Sequence, residues 1–263
     1  MTATLDTAID QLFQVYQQGQ SLALLFDYDG TLTPIVEHPQ LARLNGGTVD
    51  LLKRLADRPR IGLGVISGRM LAELKELVRI PKICLAGTSG LEIELGGMQI
   101  HHPRVQEAKQ LMWIVAQKID KHIAGFAGAW LENKGLGLTV HYRSVAEEAQ
   151  IPLQTAVYEA IDSFCNEIRV VRGPRALEIT PDIGWSKCTA VKMIMQYIGA
   201  ANQGVLYAGD GANDADAFEF VLSLGGISLG VGPQAPSMAS HRLPDPDALL
   251  GFLDLFNHSL DLN

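Results

Sequence analysis

The 263-residue sequence contains only three cysteines, Cys84, Cys165 and Cys188, and no C-x-x-C pair. Three widely spaced cysteines cannot all pair, which argues against a secreted disulfide framework and favours a reducing compartment. The sequence also lacks any run near the roughly 18 apolar residues that cross a bilayer. Its N-terminal stretch carries acids where a signal peptide needs basic residues. We therefore expect a cytoplasmic protein that makes no contact with a membrane.

Basic residues are scarce as well. The sequence has 21 Lys and Arg against 29 Asp and Glu, a formal net charge of −8. Nucleic-acid-binding proteins neutralise phosphates with clustered cations, so this balance argues against a nucleic-acid partner. Apolar residues make up 47% of the chain and charged residues 19%, a composition that supports a large core. An anionic substrate would need a local cation, a metal or backbone amides to hold it.

Short apolar runs alternate with helical patterns along much of the chain. The runs have the character of strands buried on both faces, and several end in a polar turn. They occupy residues 22–26, 60–66, 82–86, 205–208 and 226–229. Alternating buried strands and helices predict βαβ units and a parallel sheet.

The middle of the chain has a different pattern. Helical periodicity is predicted for residues 105–123 and 147–167, and each of these segments precedes a pair of predicted strands. The strand pairs are 129–132 with 136–142, and 168–172 with 176–180 across a loop at 173–175. This order indicates antiparallel strands with helices on one side. The predicted fold is α/β, with a Rossmann-like parallel-sheet core at 1–101 and 177–263 and an inserted α+β domain at 102–176.

Polar residues follow the predicted strands. Asp27 and Asp29 end the first strand two residues apart, so both carboxylates are expected on one face at the carboxyl edge of the sheet. Open α/β sheets place their active sites at this edge. Further polar residues that follow a strand or open a helix are Ser67, Lys187, Asp210 and Asp214. Each alone also fits a helix cap, a solvated side chain or a turn, whereas together they predict one shared site.

Four motifs in this order resemble those of the haloacid-dehalogenase-like phosphatases. They are D-Y-D-G-T-L-T at 27–33, I-S-G-R at 66–69, Lys187, and G-D-G-A-N-D at 209–214. Three further segments resemble the cap of the trehalose-6-phosphate phosphatases within that superfamily: A-W-L-E-N-K-G at 129–135, H-Y-R at 141–143 and A-L-E-I-T-P at 176–181. The resemblance spans most of the chain and implies a haloacid dehalogenase core with a C2-type cap.

The resemblance implies a role for each core residue. Asp27 is expected to attack phosphorus and form an aspartyl-phosphate, which divides one displacement into two. Asp29 is expected to protonate the leaving oxygen and then to deprotonate water. Ser67, at a helix start, and Lys187 are expected to bind phosphate oxygens.

The resemblance also implies a magnesium site. Its ligands are expected to be Asp27, the main-chain carbonyl of Asp29, and Asp210. Asp214 is expected either to contact these ligands and not the ion itself, or to reach the ion through water. Oxygen donors of this kind suit Mg²⁺ better than Zn²⁺.

The residues expected to bind the substrate include charged side chains outside the catalytic set. Arg69 belongs to the I-S-G-R motif, and Glu132, Lys134 and Glu178 belong to the inserted hairpins. By spacing alone, the three hairpin residues fit solvated strand-edge charges equally well. The predicted function is Mg²⁺-dependent hydrolysis of trehalose 6-phosphate, a small-molecule sugar phosphate.

Departures from the family pattern keep other functions open. Ser89, Gly211 and Ala215 stand where the trehalose-6-phosphate phosphatases prefer His and acids. One alternative is a phosphatase for sucrose, glucosylglycerol or mannosylglycerate phosphate. A phosphomutase would return the phosphoryl group to sugar, and a silent module would serve a glycosyltransferase. A transient contact with a glycosyltransferase is compatible with the enzyme hypothesis too.

Overall fold

The computed structural model describes residues 5–36, 39–173 and 175–261. Its helices are α1 (Leu5–Gln17), α2 (Gly46–Asp57), α3 (Leu71–Leu77), α4 (Val105–Ile123), α5 (Glu147–Ile161), α6 (Lys187–Ile198), α7 (Ala215–Ser223) and α8 (Pro246–Ser259). Its strands are β1 (Ser21–Phe26), β2 (Ile61–Ile66), β3 (Cys84–Gly87), β4 (Glu92–Leu95), β5 (Met98–His101), β6 (Trp130–Asn133), β7 (Leu138–His141), β8 (Ile168–Gly173), β9 (Ala176–Pro181), β10 (Ala200–Gly209), β11 (Ile227–Val231) and β12 (His241–Leu243). Among the described residues, no helix combines the length and apolar character that a membrane span requires.

The chain divides into two compact units. The first contains the described residues up to Ile100 and those from Ser186 onward, and the second is His101–Trp185. The first unit holds an eight-stranded sheet in the order β12-β11-β10-β1-β2-β3-β4-β5. Strands β12 through β3 are parallel, and β4 is antiparallel to β3. The predicted α/β fold with a parallel core sheet is therefore confirmed. Strands β4, β5 and β12 were not predicted, because none of these short strands is a continuous apolar run.

Both faces of the central strand β1 are covered. Leu22, Leu24 and Phe26 belong to a buried cluster with residues of α1, α2 and α8. The other face approaches α6 closely, since a Cβ at Gly62 of β2 would lie 2.4 Å from the side chain of Ile198. Burial on both sides explains why the core strands are apolar without interruption.

The second unit is an antiparallel four-stranded sheet in the order β6-β7-β9-β8, with α4 and α5 packed on one face. The side chains that pack against the helices include Leu138, Val140, Leu177 and Ile179. The helix predicted for residues 147–167 ends earlier, at Ile161, and a short 3₁₀ helix, Asp162–Phe164, follows it. Pro174, in the predicted loop at 173–175, lies outside the described residues.

The predicted domain boundary after residue 176 differs from the structure. It falls inside β9, which pairs with β7 and with β8 over residues 176–181. A strand held on both edges cannot be divided between two compact units. The second unit accordingly extends to Trp185, and the first resumes at Ser186.

Candidate active site

The sheet itself places Asp27 and Ser67 at its carboxyl edge. The amide of Asp27 donates to the carbonyl of Ala208 at 2.9 Å, so the pairing of β1 with β10 continues one residue past the strand. In the same way, the amide of Ser67 donates to the carbonyl of Ala86 at 2.8 Å. Both side chains are buried. They lie at the edge where the sequence predicted them.

A buried ion-pair network joins Asp27 to the far end of the sequence. The Nζ atom of Lys187 lies 2.6 Å from Oδ1 of Asp27 and 2.7 Å from Oδ1 of Asp214. Lys187 is the first residue of α6, as predicted, and the preceding Ser186 amide donates to Oγ1 of Thr189 at 3.3 Å. The capped start of α6 therefore fixes the main chain of Lys187, whose side chain contacts the predicted nucleophile.

Asp214 is fully buried and accepts hydrogen bonds at both carboxylate oxygens. Its Oδ1 also accepts from the hydroxyl of Tyr207 at 2.6 Å, and its Oδ2 accepts from the amide of Gly211 at 3.0 Å. These donors orient the carboxylate towards Lys187. Tyr207 was not among the predicted site residues, although a tyrosine inside a strand buried on both faces does require a partner for its hydroxyl.

The carboxylates of this network exceed the positive charge beside them. Ligand atoms of Asp27, Asp210 and Asp214 all lie within 4.8 Å of one another, with the ammonium of Lys187 bonded to two of them. Burial raises the pKa of Asp27 well above its usual value against the opposing effect of Lys187, and the charges of Asp214 and Asp210 raise it further. Burial and the charge of Asp214 raise the pKa of Asp210 to about 7. A divalent cation with oxygen ligands would relieve this repulsion, so the donor set fits Mg²⁺.

Lys187 is held in its charged form. Burial by itself would lower the pKa of its ammonium group, but the carboxylates of Asp214 and Asp27 raise that pKa well above its ordinary value. These two carboxylates therefore favour the charged form of the lysine beside Asp27.

Asp29 has a different partner from Asp27. Nε and one terminal nitrogen of Arg69 donate to its two carboxylate oxygens at 2.7 and 2.8 Å. The Arg69 side chain is 5% exposed and that of Asp29 is 42% exposed. Arg69 also pairs with Glu73. Arg69 was predicted to bind substrate, whereas here its guanidinium is bonded to protein carboxylates.

Ser67 does not open a helix, which corrects a second prediction. Helix α3 begins four residues later, at Leu71. The Oγ atom of Ser67 instead accepts a hydrogen bond from the amide of Arg69 at 3.2 Å, inside the turn between β2 and α3. Its hydroxyl hydrogen is the group that could reach a phosphate oxygen, without help from a helix terminus.

Gly30 allows the loops after β1 and β10 to meet. Its φ is +81°, and a Cβ there would lie 2.1 Å from Oδ2 of Asp210. Any side chain would therefore be strained by its backbone angle and would displace the carboxylate.

We expect Gly30→Ala to lower kcat by about a hundredfold, because misplacing an active-site group such as the Asp210 carboxylate by about 1 Å can cost this much. Gly19→Ala is the matched control, because Gly19 has a similar φ of +78° and a Cβ added there would meet nothing within 4 Å. Both variants should lose about 1 kcal/mol of stability from the left-handed backbone. Steady-state kinetics and urea unfolding measure the two effects. Equal activity of the two variants would contradict the importance of this contact.

The three predicted hairpin residues lie on one face of the second unit's sheet. Glu132 of β6 is directly opposite Thr139 of β7, and Thr139 is directly opposite Glu178 of β9. The side chains of Glu132, Thr139 and Glu178 therefore share a face. Nζ of Lys134 lies 3.7 Å from Oε2 of Glu132. This polar face is opposite the one that α4 and α5 cover.

His141 and Trp130 extend the same polar face. Their rings stack with centroids 4.0 Å apart. Its Nε2 also lies 2.8 Å from Oε2 of Glu132. Trp130 was missed because an isolated tryptophan in a strand pattern is more typical of a core residue.

The parallel sheet with Asp27, Ser67, Lys187 and Asp210 at one edge places the chain in the haloacid-dehalogenase-like class. Comparison with protein families then gives the particular family. The family model described as trehalose-phosphatase matches residues 25–246. The chain belongs to the trehalose-phosphatase family.

Two relatives from one bacterial species match most of the chain. The chain is 33% identical over 267 aligned positions to an uncharacterized glycosyl hydrolase of Mycobacterium tuberculosis, covering 95% of this chain and 20% of that protein. It is 32% identical over 203 positions to a trehalose-phosphate phosphatase of the same species, covering 76% of this chain and 51% of that protein. The chain thus spans between a fifth and about half of these relatives.

A solved structure shares the fold. The C-terminal domain of C. albicans trehalose-6-phosphate phosphatase superposes with a TM-score of 0.86, covering 98% of this chain and 97% of that domain at 21% identity. At this identity, the likeness concerns the arrangement of helices and strands.

Proposed function

We propose that the chain hydrolyses trehalose 6-phosphate to trehalose and inorganic phosphate. The observation that carries the proposal is the buried contact of 2.6 Å between Asp27 and Lys187, beside Asp210 and Asp214 at the carboxyl edge of the sheet. Membership of the trehalose-phosphatase family supports the choice of substrate. The reaction takes place in two displacements.

In the first displacement, a carboxylate oxygen of Asp27 attacks phosphorus. The bond from phosphorus to the sugar oxygen breaks, and that oxygen leaves with the electron pair and takes a proton from Asp29. The products are trehalose and an aspartyl-phosphate on Asp27. Lys187 and the hydroxyl of Ser67 stabilise the phosphate oxygens by hydrogen bonds as the charge moves.

In the second displacement, water attacks the same phosphorus and Asp29 accepts a proton from it. The bond to Asp27 breaks, and phosphate leaves with the carboxylate restored. The carboxyl group of Asp29, at the carboxyl edge of the sheet, serves first as acid and then as base. General acid–base catalysis allows this when the position of the group is fixed.

The proposed ligands for Mg²⁺ are the carboxylates of Asp27 and Asp210 and the main-chain carbonyl of Asp29. When bound, the ion offsets the negative charge of Asp27 and of the phosphate. Asp214 is better assigned to holding Lys187, since three donors already occupy its oxygens.

Removal of divalent metal should lower phosphate release by more than about a hundredfold, and added Mg²⁺ should restore it. The physical reason is the surplus of carboxylates, which would repel a phosphate dianion. Phosphate assays on EDTA-treated protein, with metal content measured by elemental analysis, provide the check. Full activity of a sample free of metal would mean that another group compensates this charge.

We further propose that the polar face of the second unit selects the sugar. The core residues account for the phosphoryl group, whereas Glu132, Lys134 and Glu178 carry donors and acceptors suited to the hydroxyls of a disaccharide. A transient contact with a glycosyltransferase stays a prediction.

Glu178→Ala should lower kcat/KM for trehalose 6-phosphate by roughly ten- to a hundredfold, because a lost charged hydrogen bond costs about 1.5–3 kcal/mol. The loss on p-nitrophenyl phosphate should be far smaller, since this ester has no sugar. The matched control is Glu159→Ala, which removes an exposed glutamate from α5 in the same unit. Equal losses on both esters would assign Glu178 to the fold.

A phosphate-release screen tests the function itself. It compares trehalose 6-phosphate with sucrose, glucosylglycerol, mannosylglycerate and glucose phosphates. We expect kcat/KM for trehalose 6-phosphate to be at least about a hundredfold higher than for the others. Preference for another sugar would replace the substrate, transfer of phosphate between sugars would indicate a mutase, and no phosphate release from any ester would indicate a silent module.

A further inference from the structure

We infer that Arg69 is the residue that positions Asp29 for both proton transfers. The inference rests on the proposed function and adds a role that differs from binding the substrate. Its starting point is the two-point contact in which Arg69 donates to both oxygens of Asp29, at 2.7 and 2.8 Å. A planar guanidinium that bonds both oxygens fixes the plane of the carboxylate as well as its position, which a lysine ammonium cannot do.

Arg69 is itself fixed from several directions. Its guanidinium also pairs with Glu73 and lies 5.4 Å from the centre of the Tyr28 ring. Its amide donates to Oγ of Ser67 at 3.2 Å, and its carbonyl accepts from the amide of Thr88 at 2.6 Å. Since the side chain is only 5% exposed, Arg69 is a rigid support.

Asp29 needs such a support. It follows β1 in a turn, and its side chain is 42% exposed, so burial alone does not select one orientation. Each carboxylate oxygen has two lone pairs. The oxygens of Asp29 can therefore accept from Arg69 on one side and exchange a proton with the sugar oxygen or with water on the exposed side.

A loss of activity alone would not distinguish two possible roles of Arg69, namely binding of phosphate and positioning of Asp29. If Arg69 bound phosphate, its removal would lower kcat/KM for every phosphate ester by the same factor. If Arg69 acts through Asp29, the loss should depend on how much the leaving group needs a proton. It should also largely disappear when Asp29 can no longer transfer one.

The test is a double-mutant cycle of Arg69→Ala with Asp29→Asn, measured on trehalose 6-phosphate and on aryl phosphates whose leaving groups differ in pKa. We expect Arg69→Ala to lower kcat/KM for trehalose 6-phosphate by roughly thirty- to a hundredfold. Its kcat/KM should depend more steeply on leaving-group pKa than that of the wild type. The double variant should be within about threefold of Asp29→Asn alone, because the two residues act as a unit.

Two further variants complete the design. Arg69→Lys keeps the positive charge but cannot bond both oxygens of Asp29 in the way that a guanidinium does. It should therefore recover only a minor part of the lost activity. This variant also provides a test if Arg69→Ala folds poorly. Arg79→Ala removes an exposed ion pair with Glu76 just after α3 and is the matched control. Circular dichroism and thermal unfolding compare the folded states.

Two outcomes would overturn the inference. One is a uniform loss across the ester series with an unchanged slope. The other is a double variant whose loss equals the product of the two single losses. Because aryl phosphates require no recognition of sugar, a chain that ignored trehalose 6-phosphate would still report the slope and the coupling. Failure of the proposed substrate is thus read from the wild type, and failure of the inference from the variants.

Discussion

Asp27→Asn should abolish phosphate release, with kcat reduced by at least about 10⁴-fold. An amide has no carboxylate oxygen with which to attack phosphorus, and the lost nucleophile is not replaced by a neighbour. The fold should survive, because the Asn oxygen can still accept from Lys187, which also keeps its contact with Asp214 at 2.7 Å. Single-turnover and steady-state assays with trehalose 6-phosphate measure the loss.

The matched control is Asp57→Asn, which changes an exposed aspartate that pairs with Lys82 at 2.8 Å on the surface. Exposed pairs of this kind contribute about 0–1 kcal/mol, so this variant should keep both activity and stability. Activity of Asp27→Asn within tenfold of the wild type would remove Asp27 from the role of nucleophile.

Lys187→Met should have the largest effect on stability. The ammonium is almost completely buried between Asp27 and Asp214, and removing one partner of a buried network costs about 3–5 kcal/mol because the remaining charges are left uncompensated. We expect kcat to fall by about a hundredfold or more as well, since a donor to the phosphate is lost. Urea unfolding in metal-free buffer and phosphate assays measure the two effects.

A second substitution separates the two effects. In Lys187→Met with Asp214→Asn, one of the uncompensated charges is gone, so much of the lost stability should return while activity stays low. A single variant within about 1 kcal/mol of the wild type would contradict the network as a source of stability. Recovery of activity in the double variant would contradict a chemical role for the lysine.

Much of the core site was predictable because its signals are local in sequence. A strand buried on both faces gives a continuous apolar run, and the polar residues that follow it mark the carboxyl edge of a parallel sheet. Asp27, Ser67 and Asp210 follow such runs, and Lys187 follows a helix-start signal. The resemblance then linked these residues to one reaction.

The partners of these residues were not predictable in the same way. The contacts of Arg69 with Asp29 and of Lys187 with Asp27 join residues 40 and 160 positions apart, and depend on how loops and rotamers meet in three dimensions. Arg69 was consequently assigned to substrate. Tyr207 was hidden inside an apolar strand.

The predicted boundary of the second unit differed from the structure for a related reason. The pattern identified a strand near residues 176–180, but alternation cannot say which sheet a strand joins. The pairing of β9 with both β7 and β8 decides this, and it places Glu178 beside Thr139 on the polar face. Pairing between distant strands is a property of the folded chain.

The most direct test of the central claim is to trap the phosphoryl group on Asp27. Asp29→Asn, which slows hydrolysis of the intermediate, is mixed with Mg²⁺ and with p-nitrophenyl phosphate, whose leaving group does not depend on a proton from Asp29, then quenched in acid and analysed by peptide mass spectrometry. We expect the peptide containing Asp27 to gain the mass of one phosphoryl group, and Asp27→Asn with Asp29→Asn to gain none. One result would contradict the account: the wild type releases phosphate from trehalose 6-phosphate, yet Asp27 stays unmodified in rapidly quenched samples of the wild type and of Asp29→Asn.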